Sequence, residues 1–320
     1  MFETRITKLF GIKYPIVGGA MHPLSTPEFV AAISNAGCLG IMVSTLTQTP
    51  EELREAIRKV KSLTDKPFGL NINLFPSVTP VKTEDLIAAA VEEEVPVIET
   101  SGRSPEPYIQ LLRSGKGKYI HKCARPRDAV KAASLGADAV TIVGCECGGH
   151  PGLDDVTTMV VAPMTVDAVS IPVIAGGGIV DGRGLVAALA LGADGVIMGT
   201  RFMATKECAI HANIKEWMLK ATEADTMIID RSLRNNTRVA KNEPALKVAE
   251  LEARGATLEE LLPYISGTLG RKLLTEGDMN AGILAVGQVV GRIRDIPTIQ
   301  EVVERVMSEA EEVRQRLNRC

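Results

Sequence analysis

Two copies of one six-residue junction, Leu135-Gly136-Ala137-Asp138-Ala139-Val140 and Leu191-Gly192-Ala193-Asp194-Gly195-Val196, constrain this chain more than any other feature. In each, an Ala-rich stretch of helical character runs into a glycine, the residue suited to the left-handed position that ends a helix. An apolar strand follows at once. The chain therefore contains repeated βα units. Eight short apolar runs fit that scheme: Pro15 to Val17, Leu39 to Ser44, Phe68 to Leu74, Val95 to Ser101, Tyr119 to Cys123, Ala139 to Gly144, Pro172 to Gly176 and Gly195 to Thr200. Each is mostly continuous in hydrophobicity, as strands covered on both faces of a parallel sheet must be. Helical signals lie between them. Thr26 precedes a small apolar helix ending at Asn35-Ala36-Gly37, and Thr49-Pro50-Glu51-Glu52 supplies a cap, a first-turn proline and two acids favourable at a positive helix terminus. Alternating units with right-handed crossovers either close into a TIM (β/α)8 barrel or open into a doubly wound sheet. Eight runs, each with polar or glycine residues at its C-terminal end, favour the barrel.

The rhythm stops after Thr200. From about Glu207 to Gly291 come a basic segment (Arg231, Arg234, Arg238, Lys241), a long acidic and Leu-rich helix and a glycine-punctuated stretch, with no further strand pattern. A helical insertion after strand eight is expected. Residues 1–206 and 292–320 would form the barrel and 207–291 a cover over the substrate, because the loop after strand eight emerges at the barrel's C-terminal mouth. The closing helix, Pro297 to Leu317, carries Ile299, Val302, Val303 and Val306 on one face and supplies the eighth helix. The Arg231 to Lys241 segment reads as a solvated basic face. Gly267-Thr268-Leu269-Gly270-Arg271-Lys272 reads as a helix junction, being shorter than a phosphate-loop pattern and following no strand.

Charge and composition narrow the partners. With 36 Lys+Arg against 39 Asp+Glu and only 3% aromatic residues, the chain lacks both the basic face and the stacking rings of a nucleic-acid binder. Small molecules are the expected partners. No apolar run reaches the roughly 18 residues of a membrane span, and Met1-Phe2-Glu3-Thr4-Arg5 lacks a secretory apolar stretch, so a cytoplasmic protein is expected. The 6 cysteines are thinly spread and read as reduced thiols. Cys145-x-Cys147-x-x-His150 has no second pair to complete a tetrahedral metal site, and no metal is expected. The sequence leaves open whether copies of the chain associate into a homo-oligomer.

Reactive residues of such barrels lie at the C-terminal strand ends. Gly176-Gly177-Gly178 and Gly199-Thr200, on strands seven and eight, let backbone N–H groups approach an anion closely at the usual phosphate position of the fold. His150 lies among Gly148, Gly149 and Gly152 in the loop after strand six, where the backbone can bring its imidazole against a bound ring. Its ordinary pKa suits proton transfer near neutrality. Lys122, ending the apolar strand five, places a cation in the mouth to stabilise a developing anion or hold a phosphate.

These residues resemble those of the flavin-dependent 2-nitropropane dioxygenase, or nitronate monooxygenase, superfamily. The matching segments are Pro15-Ile16 through Met21, Gly69-Leu70-Asn71-Ile72-Asn73, His121-Lys122-Cys123, Glu146-Cys147-Gly148-Gly149-His150-Pro151-Gly152, Ala175-Gly176-Gly177-Gly178 through Asp181-Gly182-Arg183, and Gly199-Thr200-Arg201-Phe202. The likeness runs over nearly the whole chain. It implies noncovalent FMN, its phosphate held at Gly177, Gly178, Gly199 and Thr200, its ring near Met21, Asn73, Lys122 and Gly148, with Ala20, Gly149 and Gly176 also binding the cofactor, and His150 facing the substrate as the catalytic residue.

Within the superfamily, Cys147, Pro151, Asp154-Asp155 and Arg231-Ser232-Leu233-Arg234-Asn235 look closest to a subgroup of NADH:quinone reductases, with NADH or NADPH as reductant. The first-strand loop, Gly18-Gly19-Ala20-Met21, lacks the Gln and Pro typical of nitronate oxidisers, and the histidine motif has Cys147 where they carry Ala. Oxidation of a nitronate with O₂ is the alternative. A flavin-dependent enoyl-thioester reductase is the second, through a likeness over Gly282 to Gly291. A non-enzymatic flavin or phosphate-ligand binding protein is the reading from another class. The stretch Phe75-Pro76-Ser77-Val78-Thr79-Pro80 after strand three is either a gate or a rigid turn.

Overall fold

The computed structural model describes residues 2–75 and 81–319, so Pro76 to Pro80 of the expected gate lie outside the described residues. Eight parallel strands close into a barrel: β1 (Ile16–Gly18), β2 (Leu39–Val43), β3 (Phe68–Asn73), β4 (Val97–Ser101), β5 (Lys118–Cys123), β6 (Ala139–Val143), β7 (Val173–Gly176) and β8 (Gly195–Met198). Neighbours pair in chain order, and β1 meets β8 with Ile16, Val17 and Gly18 opposite Val196, Ile197 and Met198. The apolar runs fall on these strands. Their C-terminal ends differ most at β8, where Thr200 opens the short helix Thr200–Met203 instead of extending the strand.

The repeated junction behaves as its residues dictate. Gly136 and Gly192 sit in the left-handed region at φ 86° and 90°. The aspartate of each copy then closes the unit: Asp138 accepts the Tyr119 amide at 2.8 Å and Asp194 accepts the Val173 amide at 3.0 Å. Each carboxylate thereby ties the start of its own strand to the start of the preceding one, satisfying an amide that the ladder leaves over.

Asp194 is also gripped by Arg5, through Nε and Nη2, both at 2.7 Å. Arg5 opens the helix Arg5–Phe10, whose Ile6 and Phe10 pack with Val17, Leu39, Val97 and Ile174 in a cluster inside the strands. This helix stops the N-terminal end of the barrel with apolar side chains. Outside the strands, Thr26 and Thr49 cap the helices Pro27–Asn35 and Pro50–Leu63 by accepting the amides of Phe29 and Glu52. The closing helix Ile299–Leu317 buries Ile299, Val302, Val303 and Val306 and packs against Gly182–Ala190. Gly182 permits that approach, because a Cβ there would lie 2.2 Å from the Ala310 nitrogen.

The segment after β8 is not wholly helical. Alongside the helices Ala212–Lys220, Glu243–Ala253, Leu258–Ile265 and Gly267–Glu276 runs an antiparallel pair, β9 (Thr226–Ile229) and β10 (Thr237–Ala240). Each run is four residues long, too short for alternation to stand out. Ile229 and Val239 pack with Ala245, Val248, Leu251 and Leu261 in a small core of their own, and this packing favours their β-branched side chains in strands. Nor is Arg231 to Lys241 a uniformly solvated face, since Arg238 is 8% exposed. Ser266 ends one helix and starts the next, so the junction falls at Ser266, and Gly267 to Lys272 is the first part of the helix Gly267–Glu276. Arg201 pins the two ends of the inserted segment together, donating from Nη2 to the carbonyls of Ala204 at 2.6 Å and Asp295 at 2.9 Å. Among the described residues, no helix is long and apolar enough to cross a membrane.

Candidate functional site

Above the apolar plug the barrel interior turns polar. The register sets Asn71 beside Glu99, Asn73 beside Ser101, Ser101 beside Lys122, and Lys122 beside Thr141. Alternation along each strand puts these side chains on one face, the inner one. Glu99 is wholly buried. Its Oε1 accepts the Asn71 amide at 2.6 Å, and Asn71 also donates to Ser101 Oγ at 3.2 Å. Among the described residues, Glu99 Oε2 and Thr141 Oγ1 have no hydrogen-bond partner. Burial pushes the Glu99 carboxyl above its ordinary pKa, while Lys122 and the bond from Asn71 pull it down. His121 points the other way, into the wall, where its Nδ1 meets Thr100 Oγ1 at 2.8 Å and burial lowers its pKa to about 4. Of His121-Lys122-Cys123, therefore, Lys122 is the side chain presented to the mouth.

At the ends of β7 and β8 the backbone forms a cradle. Gly177 and Gly178 have φ 93° and 75°, the left-handed region that glycine enters without steric cost. A Cβ on Gly177 would lie 2.8 Å from Thr158 Oγ1, so no side chain fits there. Among the described residues, the amides of Gly178, Gly199 and Thr200 donate to no protein acceptor. Left-handed glycines with outward amides are the elements of a backbone anion site. Thr158 braces the cradle from behind, its Oγ1 lying 2.8 and 2.9 Å from the carbonyls of Gly176 and Gly177. The Glu146 carboxylate takes the Thr158 amide at the first turn of the helix Thr158–Ala168, at 3.0 and 3.1 Å.

The loop carrying His150 is held by the inserted segment. Gly149 and Arg238 of β10 exchange backbone hydrogen bonds, and Arg238 Nε donates to the Cys145 carbonyl at 2.6 Å. From the other side, the Gln288 amide donates to the Glu146 carbonyl at 3.0 Å, and the Gly287 amide donates to Thr200 Oγ1 at 2.9 Å. Gly148 is required by this closeness, because a Cβ on it would lie 2.7 Å from the Gly287 nitrogen. The His150 ring lies 5.4 Å from the Phe75 ring. It is open to the cavity yet flanked by protein, and this desolvation, with the charge of Lys122, lowers its pKa to about 4. At neutral pH it is an uncharged imidazole able to accept or donate at its ring nitrogens.

Cradle, Lys122 and His150 face one cavity of about 1310 Å³. A site for one small ligand spans about 300–1,000 Å³, so this one has room for a cofactor and a second ligand together. Ala20, Met21, Asn73, Lys122, Gly148, Gly149, His150, Gly177, Gly178, Gly199 and Thr200 all line it. Gly176 does not. It lies one residue below the cradle, where a Cβ would meet Ile197 Cγ2 at 2.3 Å. Sequence reasoning missed Asn71, Glu146 and Arg238 as site residues. Asn71 was within reach, since it shares a strand face with Asn73 two residues on, whereas nothing in a basic run marks Arg238 as buried.

The chain is similar to known proteins over nearly its whole length. The profile of the nitronate monooxygenase family matches residues 3–309. The chain is 34% identical to (3aS,4S,5R,7aS)-5-hydroxy-7a-methyl-1-oxo-octahydro-1H-indene-4-carboxyl-CoA dehydrogenase of Rhodococcus jostii, over 96% of each chain. It is 29% identical to a probable nitronate monooxygenase of Staphylococcus saprophyticus, over 98% of this chain and 99% of that one. Among solved structures it is similar to FabK from Thermotoga maritima, with a TM-score of 0.93 and 38% identity over 99% of both chains.

Proposed function

Because the chain belongs to the nitronate monooxygenase family, we propose that it is an FMN-dependent oxidoreductase that takes electrons from NAD(P)H and reduces an enoyl thioester. The observation that carries the reading is one cavity with a backbone anion cradle on one wall and an uncharged imidazole on another, large enough for a cofactor and a second ligand. The residues fit FMN. The free amides of Gly178, Gly199 and Thr200 suit its phosphate, and Met21, Asn73, Lys122 and Gly148 line the space beyond. FMN supplies a carrier of two electrons between the reductant and the acceptor.

In this reading the protein's own groups orient ligands and manage charge. Lys122 offsets negative charge that develops in the mouth. His150 holds or delivers a proton at a ring nitrogen, and its uncharged state at neutral pH lets it approach an apolar acyl group without a desolvation penalty. Residues 207–291 cover the substrate, contributing Ile265, Leu274 and Leu284 to the cavity wall. Thioester chemistry is supported by the relative named as a carboxyl-CoA dehydrogenase and by the likeness of Gly282 to Gly291 to enoyl-thioester reductases.

NAD(P)H:quinone reduction is the second reading. Two segments of the quinone-reductase likeness touch, Arg231 Nη2 meeting the Asp155 carboxylate at 2.9 and 3.1 Å. Anaerobic flavin reduction by NADH and NADPH, followed by mixing with crotonyl-CoA or a quinone, separates the readings, with a nitronate offered to the oxidised protein in parallel. Reoxidation by the enoyl thioester is expected. Reoxidation by quinone alone, or reduction by the nitronate alone, selects the corresponding alternative, and a colourless protein releasing no FMN on denaturation rejects every flavin reading.

A further inference from the structure

The charges around the cavity do not follow those of the chain. Its lining holds six cations (Arg103, Lys122, Arg125, Lys131, Arg234, Arg271) against three carboxylates (Glu106, Asp128, Glu146), in a protein whose net charge is -3. A cleft lined with one sign of charge concentrates ligands of the other. Two of the cations are already neutralised, Arg125 by Asp128 at 2.8 Å and Lys131 by Glu106 at 2.8 Å. Lys122 lies deep, at the end of β5. That leaves Arg103, Arg234 and Arg271, all exposed, and among the described residues none of the three guanidinium groups has a hydrogen-bond or ion-pair partner.

The three come from separate parts of the chain: the loop after β4, the turn between β9 and β10, and the helix Gly267–Glu276. Arg234 is at φ 51°, left-handed for a residue with a side chain, at a cost of about 1–2 kcal/mol. The glycine cradle can hold one phosphate at the ends of β7 and β8, and the three unpaired arginines of the same lining are left free for a second anion. Phe75, Ile265, Leu274 and Leu284 line the same cavity and offer apolar wall.

We propose that Arg103, Arg234 and Arg271 form the docking site for the phosphoester end of a pantetheine-linked acyl substrate, with the acyl group reaching inward toward His150. The inference rests on the thioester reading above and names the part of the substrate that the rim recognises. Guanidinium groups suit phosphate through paired, charge-assisted hydrogen bonds.

The test uses the FMN-loaded protein and one enoyl group on three carriers: coenzyme A, a phosphopantetheinylated carrier protein, and N-acetylcysteamine, which has no phosphate. Replacing each arginine by Gln (R103Q, R234Q, R271Q) is expected to lower the ratio of kcat/KM for a phosphorylated carrier to that for N-acetylcysteamine about tenfold per lost charge-assisted contact. Added salt should lower the same ratio in the unmodified protein. A loss with both phosphorylated carriers assigns the phosphate that they share beside the pantetheine, and a loss with coenzyme A alone assigns the further phosphates of its nucleotide end. Both outcomes support the site. An unchanged ratio overturns it, and so does an effect confined to anaerobic reduction by NAD(P)H, which would give the rim to the dinucleotide. Failure of the thioester reading is seen separately, as unmodified reduced protein that none of the three thioesters reoxidises.

Discussion

Gly149 and Arg238 exchange a reciprocal pair of backbone hydrogen bonds, 3.0 Å from the glycine amide and 2.7 Å from the arginine amide. The residue before His150 is thus paired like a strand residue with β10 of the inserted segment. A loop that would otherwise be restrained only by its ends is set by a second part of the chain, and the imidazole inherits that position.

Replacing Arg238 by Ala keeps the backbone pairing but removes the donor to the Cys145 carbonyl and to Thr226 Oγ1. Loss of a hydrogen bond from a charged group costs about 1.5–3 kcal/mol. The R238A protein is expected to keep its flavin, melt at lower temperature and turn over at least tenfold more slowly. Turnover equal to the parent would separate the loop's order from catalysis.

The His150 pKa of about 4 fixes a pH dependence. The ring is uncharged from pH 8 to about 5, so the His150-dependent part of turnover should be flat there and fall as pH drops through about 4. Between the ordinary value of 6.5 and about 4 the unfolded chain binds more protons at this position than the folded one, so stability also declines as pH falls across that window. H150A should retain flavin and lose about 10²–10⁴-fold in turnover if the imidazole transfers a proton. Undiminished turnover removes it from the mechanism.

Glu99 titrates in the opposite sense. Its folded pKa is raised from 4.5, so the folded protein holds the proton more tightly, and stability is lost as pH rises above 4.5. Glu99→Gln keeps an acceptor for Asn71 and cannot ionise. Its melting temperature relative to the parent is expected to rise between pH 5 and pH 8. A relative fall over that range would mean that Glu99 is ionised and balanced by Lys122.

Gly178→Leu places a side chain at φ 75° in the cradle, costing about 1–2 kcal/mol in the backbone, with its Cβ 3.6 Å from Glu146 Oε1 and the rest of the side chain taking up cradle space. The expected protein is folded by circular dichroism and depleted of flavin, measured after denaturation. Full flavin content would contradict the phosphate assignment.

Much of the barrel is legible in the sequence because strands buried on both faces need continuous apolar runs and because the Gly-Ala-Asp junction marks two of the returns to the sheet, at β6 and β8. Capping at Thr26 and Thr49 is legible for the same local reason. The strands β9 and β10 are not, since four residues carry too little pattern and their stability comes from packing on Val248 and Leu261, residues of the helices that follow. The site divides along the same line. Glycine clusters and His150 announce themselves, because backbone conformation and residue type suffice. The part played by Arg238 depends on which carbonyl lies opposite, and the polar pair Asn71–Glu99 depends on the register of β3 and β4. Gly176 shows the limit in reverse, a glycine selected as ligand-facing that instead makes room for Ile197.

The helix Arg5–Phe10, latched by Arg5 to Asp194, stops the lower end of the barrel. Among the described residues that end admits no ligand, so donor and acceptor both come to the cavity from its C-terminal side. In an oxidoreductase built this way, the electron donor must vacate before the acceptor enters, so turnover should follow double-displacement kinetics, with parallel lines in reciprocal plots and each substrate inhibiting competitively against the other at high concentration.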